Sequence, residues 1–170
     1  MSIKAIMHND SHTISLFVAN KPGVLLRICL VFSRRGFNIE SLVVSPAIDG
    51  RFSRMTITAK GDNNVLEQII KQCGKLIDVV HASEHDPAQS LELEFALIKV
   101  KLATKNRSEI LQLVQHVQAE AVDFTDQTVI LKMVGETKKI DNCITLLSPF
   151  GILEMVRSGK MVITKGKEET

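Results

Sequence analysis

Apolar side chains alternate from residue 12 to residue 18, with Ile14, Leu16 and Val18 on one face, the period of a half-buried strand. The cluster Asn20-Lys21-Pro22-Gly23 breaks that pattern and can open a helix. Val24, Leu25, Ile28, Val31, Phe32 and Arg35 then recur at helical spacing, and Gly36 is placed to stop the helix. Residues 38–47 are β-rich, and Asp49-Gly50 is a hairpin turn signal. Residues 52–60 return as a strand, with Met55, Ile57 and Ala59 on one face and Arg54, Thr56 and Thr58 on the other. Gly61-Asp62-Asn63 can cap a second helix carried by Val65, Leu66, Ile69, Ile70 and Cys73. Residues 77–83 close the unit as a strand, in the order βαββαβ.

The polar stretch of residues 84–90, which contains Pro87, reads as a linker, and beyond it the order repeats. Residues 91–102 form a long strand, apolar at Leu91, Leu93, Phe95 and Leu97, then at Ile98, Val100 and Leu102. That change of phase predicts a bulge or a strand that turns its face over. Ile110, Leu111, Val114 and Val117 mark a third helix, and Thr125-Asp126 a hairpin between residues 121–124 and 127–134. Ile140, Cys143, Ile144 and Leu147 mark a fourth helix. Residues 152–156, then residues 161–163 beyond Ser158-Gly159, end the chain's regular structure. Two successive βαββαβ units define an α+β protein of two tandem ferredoxin-like sandwiches, each with two helices on one face of a four-stranded antiparallel sheet. The expected division is an N-terminal extension at 1–11, a first domain at 12–84, a linker at 85–90, a second domain at 91–165 and a tail at 166–170. The uncovered sheet faces and edges predict a dimer.

Composition narrows the function classes. The 170 residues are 45% hydrophobic, enough for two modest cores, and 21 basic against 19 acidic residues leave a net charge of +2. That balance carries no nucleic-acid or membrane footprint. The longest apolar run, residues 28–32, is far short of the ~20 residues a membrane span needs, and no signal-peptide pattern opens the sequence. The expectation is a cytoplasmic protein. Cys29, Cys73 and Cys143 fall in helical runs and read as buried thiols in a reducing compartment. Trp and Tyr are absent, and the third strand has a Phe only at its start, so the aromatic platform of an RNA-recognition module is missing.

Catalytic chemistry is missing too. There is no G-x-S-x-G, G-x-G-x-x-G, Walker A or C-x-x-C sequence. His8 and His12, and His81 and His85, are spaced i,i+4 but lie in or beside strands, where that spacing does not converge ligands. His116 reads as a helix boundary residue, and Asp123 and Asp126 as turn residues. No catalytic residue and no metal site is expected.

Between the first strand and first helix, Asn20-Lys21-Pro22-Gly23-Val24-Leu25 has the parts a small zwitterion requires. A helix N-terminus favours a carboxylate, and Gly23 lets a ligand approach the backbone. Asn20 offers a carbonyl to an ammonium group and an amide to a carboxylate, while Val24, Leu25 and Ile39 can line an apolar pocket.

That stretch, followed by Phe32-Ser33-Arg34-Arg35-Gly36-Phe37-Asn38-Ile39-Glu40-Ser41-Leu42, resembles the ACT domain of acetolactate synthase small subunits. Ser53-Arg54-Met55-Thr56-Ile57 and Arg157-Ser158-Gly159 match the same family, and the spacing agrees from about residue 12 to 163. The resemblance implies an ACT domain at 12–84 that pairs with its mate in a homodimer and binds an effector there, commonly valine. The strand–helix loop of one chain, Asn20, Lys21, Pro22, Gly23, Val24 and Leu25, would meet Asn38 of the other, with Ile39 beside it. It further implies that residues 91–165 contact the catalytic large subunit, which carries thiamine diphosphate, magnesium and FAD, so this chain binds none of them. The alternatives are a stand-alone ACT-type amino-acid sensor for another enzyme, and a ferredoxin-like enzyme whose site has no recognised motif. The residues do not distinguish valine from leucine or isoleucine. Residues 1–11 precede the family's usual start and are expected to be a flexible or partly ordered arm, to which the sequence assigns no role.

Overall fold

Burying one face of each strand under two helices generates the first unit. The computed structural model describes residues 11–167 and Thr170. His8 and the expected N-terminal extension, Ser11 apart, therefore lie outside the described residues, as do Glu168 and Glu169 of the tail. Strand β1 (Ser11–Ala19) aims Ile14, Leu16 and Val18 into the core. Helix α1 (Val24–Arg34) brings Val24, Ile28 and Phe32 onto them, four residues apart as one helical stripe requires. Strands β2 (Asn38–Pro46) and β3 (Phe52–Lys60) follow, then α2 (Asn63–Cys73), which adds Leu66, Ile69 and Cys73, and β4 (Val79–Glu84). The sheet is antiparallel with order β2-β3-β1-β4, so β1 and β3 are central and β2 and β4 are edges. Local chemistry sets the ends. Asp62 accepts the Asn64 N–H at 2.8 Å at the start of α2, and Gly36, at φ +71°, takes the chain out of α1.

β4 begins at Val79 and not at Ile77. The Val79 N–H closes a turn onto the Leu76 carbonyl at 2.9 Å, leaving Ile77 fully exposed. On the face away from the helices, Thr13, Ser15, Thr56 and Thr58 are buried hydroxyl residues. His85, just beyond β4, lies 2.5 Å from the Ser15 hydroxyl and 3.1 Å from that of Ser90.

The second unit repeats the order with β5 (Ser90–Lys101), α3 (Arg107–His116), β6 (Glu120–Phe124), β7 (Thr128–Gly135), α4 (Thr137–Leu147) and β8 (Ile152–Arg157). The sheet order is β6-β7-β5-β8, and a short strand, β9 (Met161–Thr164), pairs with β5. Ala96, Ile98, Val100, Val129, Leu131 and Met133 meet Ile110, Val114, Ile140, Cys143 and Leu147 in a separate core. By compactness this unit is Glu92–Met161, and the first takes in residues up to Leu91 and from Val162 onward.

The expected phase change at Leu97-Ile98 is not there. β5 pairs with β7 in unbroken register from Glu94 to Lys101, and an irregularity against β8 falls later, between Lys99 and Val100. The two apolar series are the two faces of one regular strand. The core-facing side begins with Glu92 and Glu94, which are paired with Lys160 and Arg157, and becomes apolar at Ala96.

The expectation of three buried thiols holds for two. Burial pushes Cys73 up to about 11 and raises Cys143, whereas Cys29 is half-buried on α1. Among the described residues no helix is long and apolar enough to cross a membrane.

Candidate functional site

The β1–α1 loop is held from below and open above. The Asn20 N–H donates to the Arg51 carbonyl at 2.8 Å and its side-chain amide to the Gly50 carbonyl at 3.0 Å, tying the loop to the β2–β3 hairpin. With the amide engaged, the Asn20 side-chain oxygen is the group left to accept from a ligand. Lys21, Pro22 and Gly23 are exposed. Gly23 is the N-cap of α1 at φ +85°, a left-handed conformation that glycine adopts without strain. Among the described residues no side-chain cap closes this helix start, so the first-turn N–H groups of Leu25 and Leu26 stay without a partner at the positive end of the helix dipole. Val24 turns its side chain into the core and contributes only backbone, while Leu25 is 43% exposed.

Arg27 adds a charge that the sequence pattern did not single out. Its Nη2 donates to Asp78 Oδ2 at 2.6 Å, and its Nη1 stands 3.2 Å from where a Cβ on Gly23 would be. Asp78 is 51 positions away in sequence, so only the fold brings the pair to the loop.

Asn38 and Ile39 open β2, Asn38 exposed and Ile39 packed against the first core. Their position relative to the loop follows from register. Asn38 lies across from Lys60, and Lys60 from Ser11, whereas Ala19, next to Asn20, lies across from Phe52. The nine residues of β1 therefore separate Asn38 from the loop by roughly 25 Å. Asn20, Lys21, Pro22, Gly23, Val24 and Leu25 come together; Asn38 and Ile39 stand at the other end of the same sheet. β2, which carries Asn38, is an edge strand, and Leu26 and Leu30 are exposed on α1, the helix that leads into it.

Among the described residues the histidines form no shared site. The ring nitrogens of His12 face Glu84 at 2.7 Å and the Gly61 carbonyl at 3.1 Å, His81 is exposed, and His85 binds the two serines above. His116 is exposed in the last turn of α3.

Two tandem ferredoxin-like units, the first with an open strand–helix loop at an uncapped helix end, define an ACT-type α+β protein. Residues 14–81 match the AHAS small subunit-like ACT domain, and residues 93–166 the small subunit of acetolactate synthase. The chain belongs to the acetolactate synthase small subunit family. It is 40% identical over 161 residues to a probable acetolactate synthase small subunit of Methanothermobacter thermautotrophicus, covering 94% of this chain and 96% of that one. It is 39% identical to the acetolactate synthase small subunit of Mycobacterium bovis, covering 94% and 95%. The crystal structure of the small subunit from Thermotoga maritima superposes with a TM-score of 0.84 at 34% identity, over 94% of this chain and 100% of that chain.

Proposed function

We propose that this chain is the regulatory subunit of acetolactate synthase, activating a catalytic large subunit and making it sensitive to a branched-chain amino acid, valine first. The observation that carries the reading is the roughly 25 Å between the β1–α1 loop and Asn38 in one chain. No single amino acid spans that gap. Antiparallel pairing of two β2 edges about a two-fold axis brings Asn38 of one protomer to the loop of the other. Each effector then touches both chains: its carboxylate at the α1 N-terminus, its ammonium at asparagine oxygens, its aliphatic side chain against Leu25 and Ile39.

Binding across the interface favours one arrangement of the dimer only if that arrangement binds effector more tightly, and a coupling of ~1–3 kcal/mol corresponds to roughly 5- to 150-fold regulation. Residues 91–165 contact the catalytic subunit, which holds thiamine diphosphate, magnesium and FAD; this chain binds none of them and carries no catalytic residue. Its place of work is the cytoplasm.

The test is reconstitution with the large subunit, combined with calorimetric titration of valine, leucine and isoleucine. Gly23→Asp puts a carboxylate where the effector's must sit and forces a side chain onto φ +85°. It should abolish inhibition while activation persists, and Asn38→His should do the same. Wild-type valine sensitivity in either variant would place the effector elsewhere.

A further inference from the structure

Arg27 stands apart from the other surface arginines because its guanidinium is fixed at the mouth of the loop. Side chains on a helix lean toward its N-terminus, so a residue in the second turn reaches back over the first. Arg27 does so until Nη1 is 3.2 Å from the Cβ position of Gly23. Asp78 Oδ2 holds Nη2 at 2.6 Å, and Asp78 is itself fixed, since its carbonyl accepts the Ala19 N–H at 2.8 Å. The side chain is thus pinned at one nitrogen and presents the other toward Gly23. The N–H groups of Leu25 and Leu26 belong to the same helix end, which no side chain caps among the described residues. A guanidinium beside the N-cap and unpaired helix-end amides are the donor types of a carboxylate site.

We propose that Arg27, held by Asp78, receives the effector's carboxylate and makes the site select free α-carboxylates over their neutral derivatives. The inference rests on the loop being the effector site, and deepens that reading by naming the group that discriminates. Asp78 draws on one of five guanidinium donors, which leaves Nη1 for the ligand. The same contact gives a second reason for glycine at position 23. A Cβ there presses on Arg27, in addition to the strain that φ +85° puts on any other residue.

The experiment is calorimetry on the full-length chain with three probes: valine, valinamide, and 2-hydroxy-3-methylbutanoate, which keeps the carboxylate and loses the ammonium. Wild type should bind valine at least roughly tenfold more tightly than valinamide, the worth of one charge-assisted hydrogen bond. Arg27→Gln should lose about tenfold or more in affinity for valine and for the hydroxy acid while leaving valinamide nearly unchanged. Arg27→Lys, which keeps the charge without the fork, should fall between them. A purely structural arginine would weaken all three probes by one factor, and that result overturns the inference, as does an Arg27→Gln protein with undiminished preference for valine. Gly23→Asp separates the two levels. If it binds valine as wild type does, the loop is not the site and both readings fall. If it loses valine while Arg27→Gln keeps full discrimination, only the role of Arg27 falls.

Discussion

Glu94 is a charged group on the core-facing side of β5, its side chain 6% exposed, and everything that stabilises it comes from later in the chain. Thr137, opening α4, donates its hydroxyl to Oε1 at 2.7 Å; Arg157, ending β8, donates Nε to Oε2 at 2.9 Å and also Nη2. The same guanidinium reaches Asp141 with Nη1 at 2.7 Å. Burial pulls Arg157 toward the neutral form, but its hydrogen bonds to Glu94 and Asp141 outweigh that and hold it above the ordinary arginine value. The cluster therefore ties a strand, an edge strand and a helix of the second unit. Removing one partner strands a buried charge, a loss of about 3–5 kcal/mol. Arg157→Ala should lower the unfolding free energy of the second unit by that amount, and Arg157→Met with Glu94→Leu should recover much of it. With no tryptophan in the chain, urea denaturation followed by far-ultraviolet circular dichroism is the measurement. A loss below about 1 kcal/mol would mean that the pair behaves as a surface bridge.

Between elements, one close approach fixes where β2 starts. A Cβ on Gly61 would be 2.1 Å from Cζ of Phe37, whose ring packs against the first core immediately before Asn38. The conflict is one of space, because Gly61 does not have positive φ. Gly61→Ala must displace the ring and should cost about 1–3 kcal/mol as an overpacked site. In a Phe37→Leu background most of that cost should vanish, and equal costs in both backgrounds, read from urea midpoints, would refute the contact. The displacement also moves Asn38, so effector affinity should fall with stability. This scale marks what the sequence makes legible. β1, β3 and the four helices were readable because each commits one face to a core, and that face carries its own period. β5 misled because Glu92 and Glu94 occupy core-facing positions through partners 68 and 63 residues away. A local scan reads those glutamates as solvent-facing and infers a flip. The same limit hid Arg27 while leaving Gly23 visible. A glycine at a turn is a local signal, whereas the arginine matters only through Asp78 and the fold that brings it near.

For the whole molecule, the separation of the loop from Asn38 turns a stability-neutral mixing experiment into a test of assembly. If each effector site takes its loop from one protomer and its asparagine from the other, a Gly23→Asp homodimer has both sites broken, and so does an Asn38→His homodimer. Let the two variants exchange chains. In the mixed dimer one site combines the altered loop with the altered asparagine, but the other combines a native loop with a native Asn38. Random exchange makes half the dimers mixed, so valine binding should return to roughly a quarter of wild-type capacity, at wild-type affinity. If each chain instead built its site alone, mixing would restore nothing, because every chain would still carry one lesion. The exposed edge of β2 supplies a control. A proline at whichever of Val43 and Val44 points its N–H away from β3 breaks strand addition at that edge, so it should shift the sedimentation profile toward monomer and abolish the recovery. Recovery that survives in a monomeric protein would rule out the shared site, whatever the fate of the single variants.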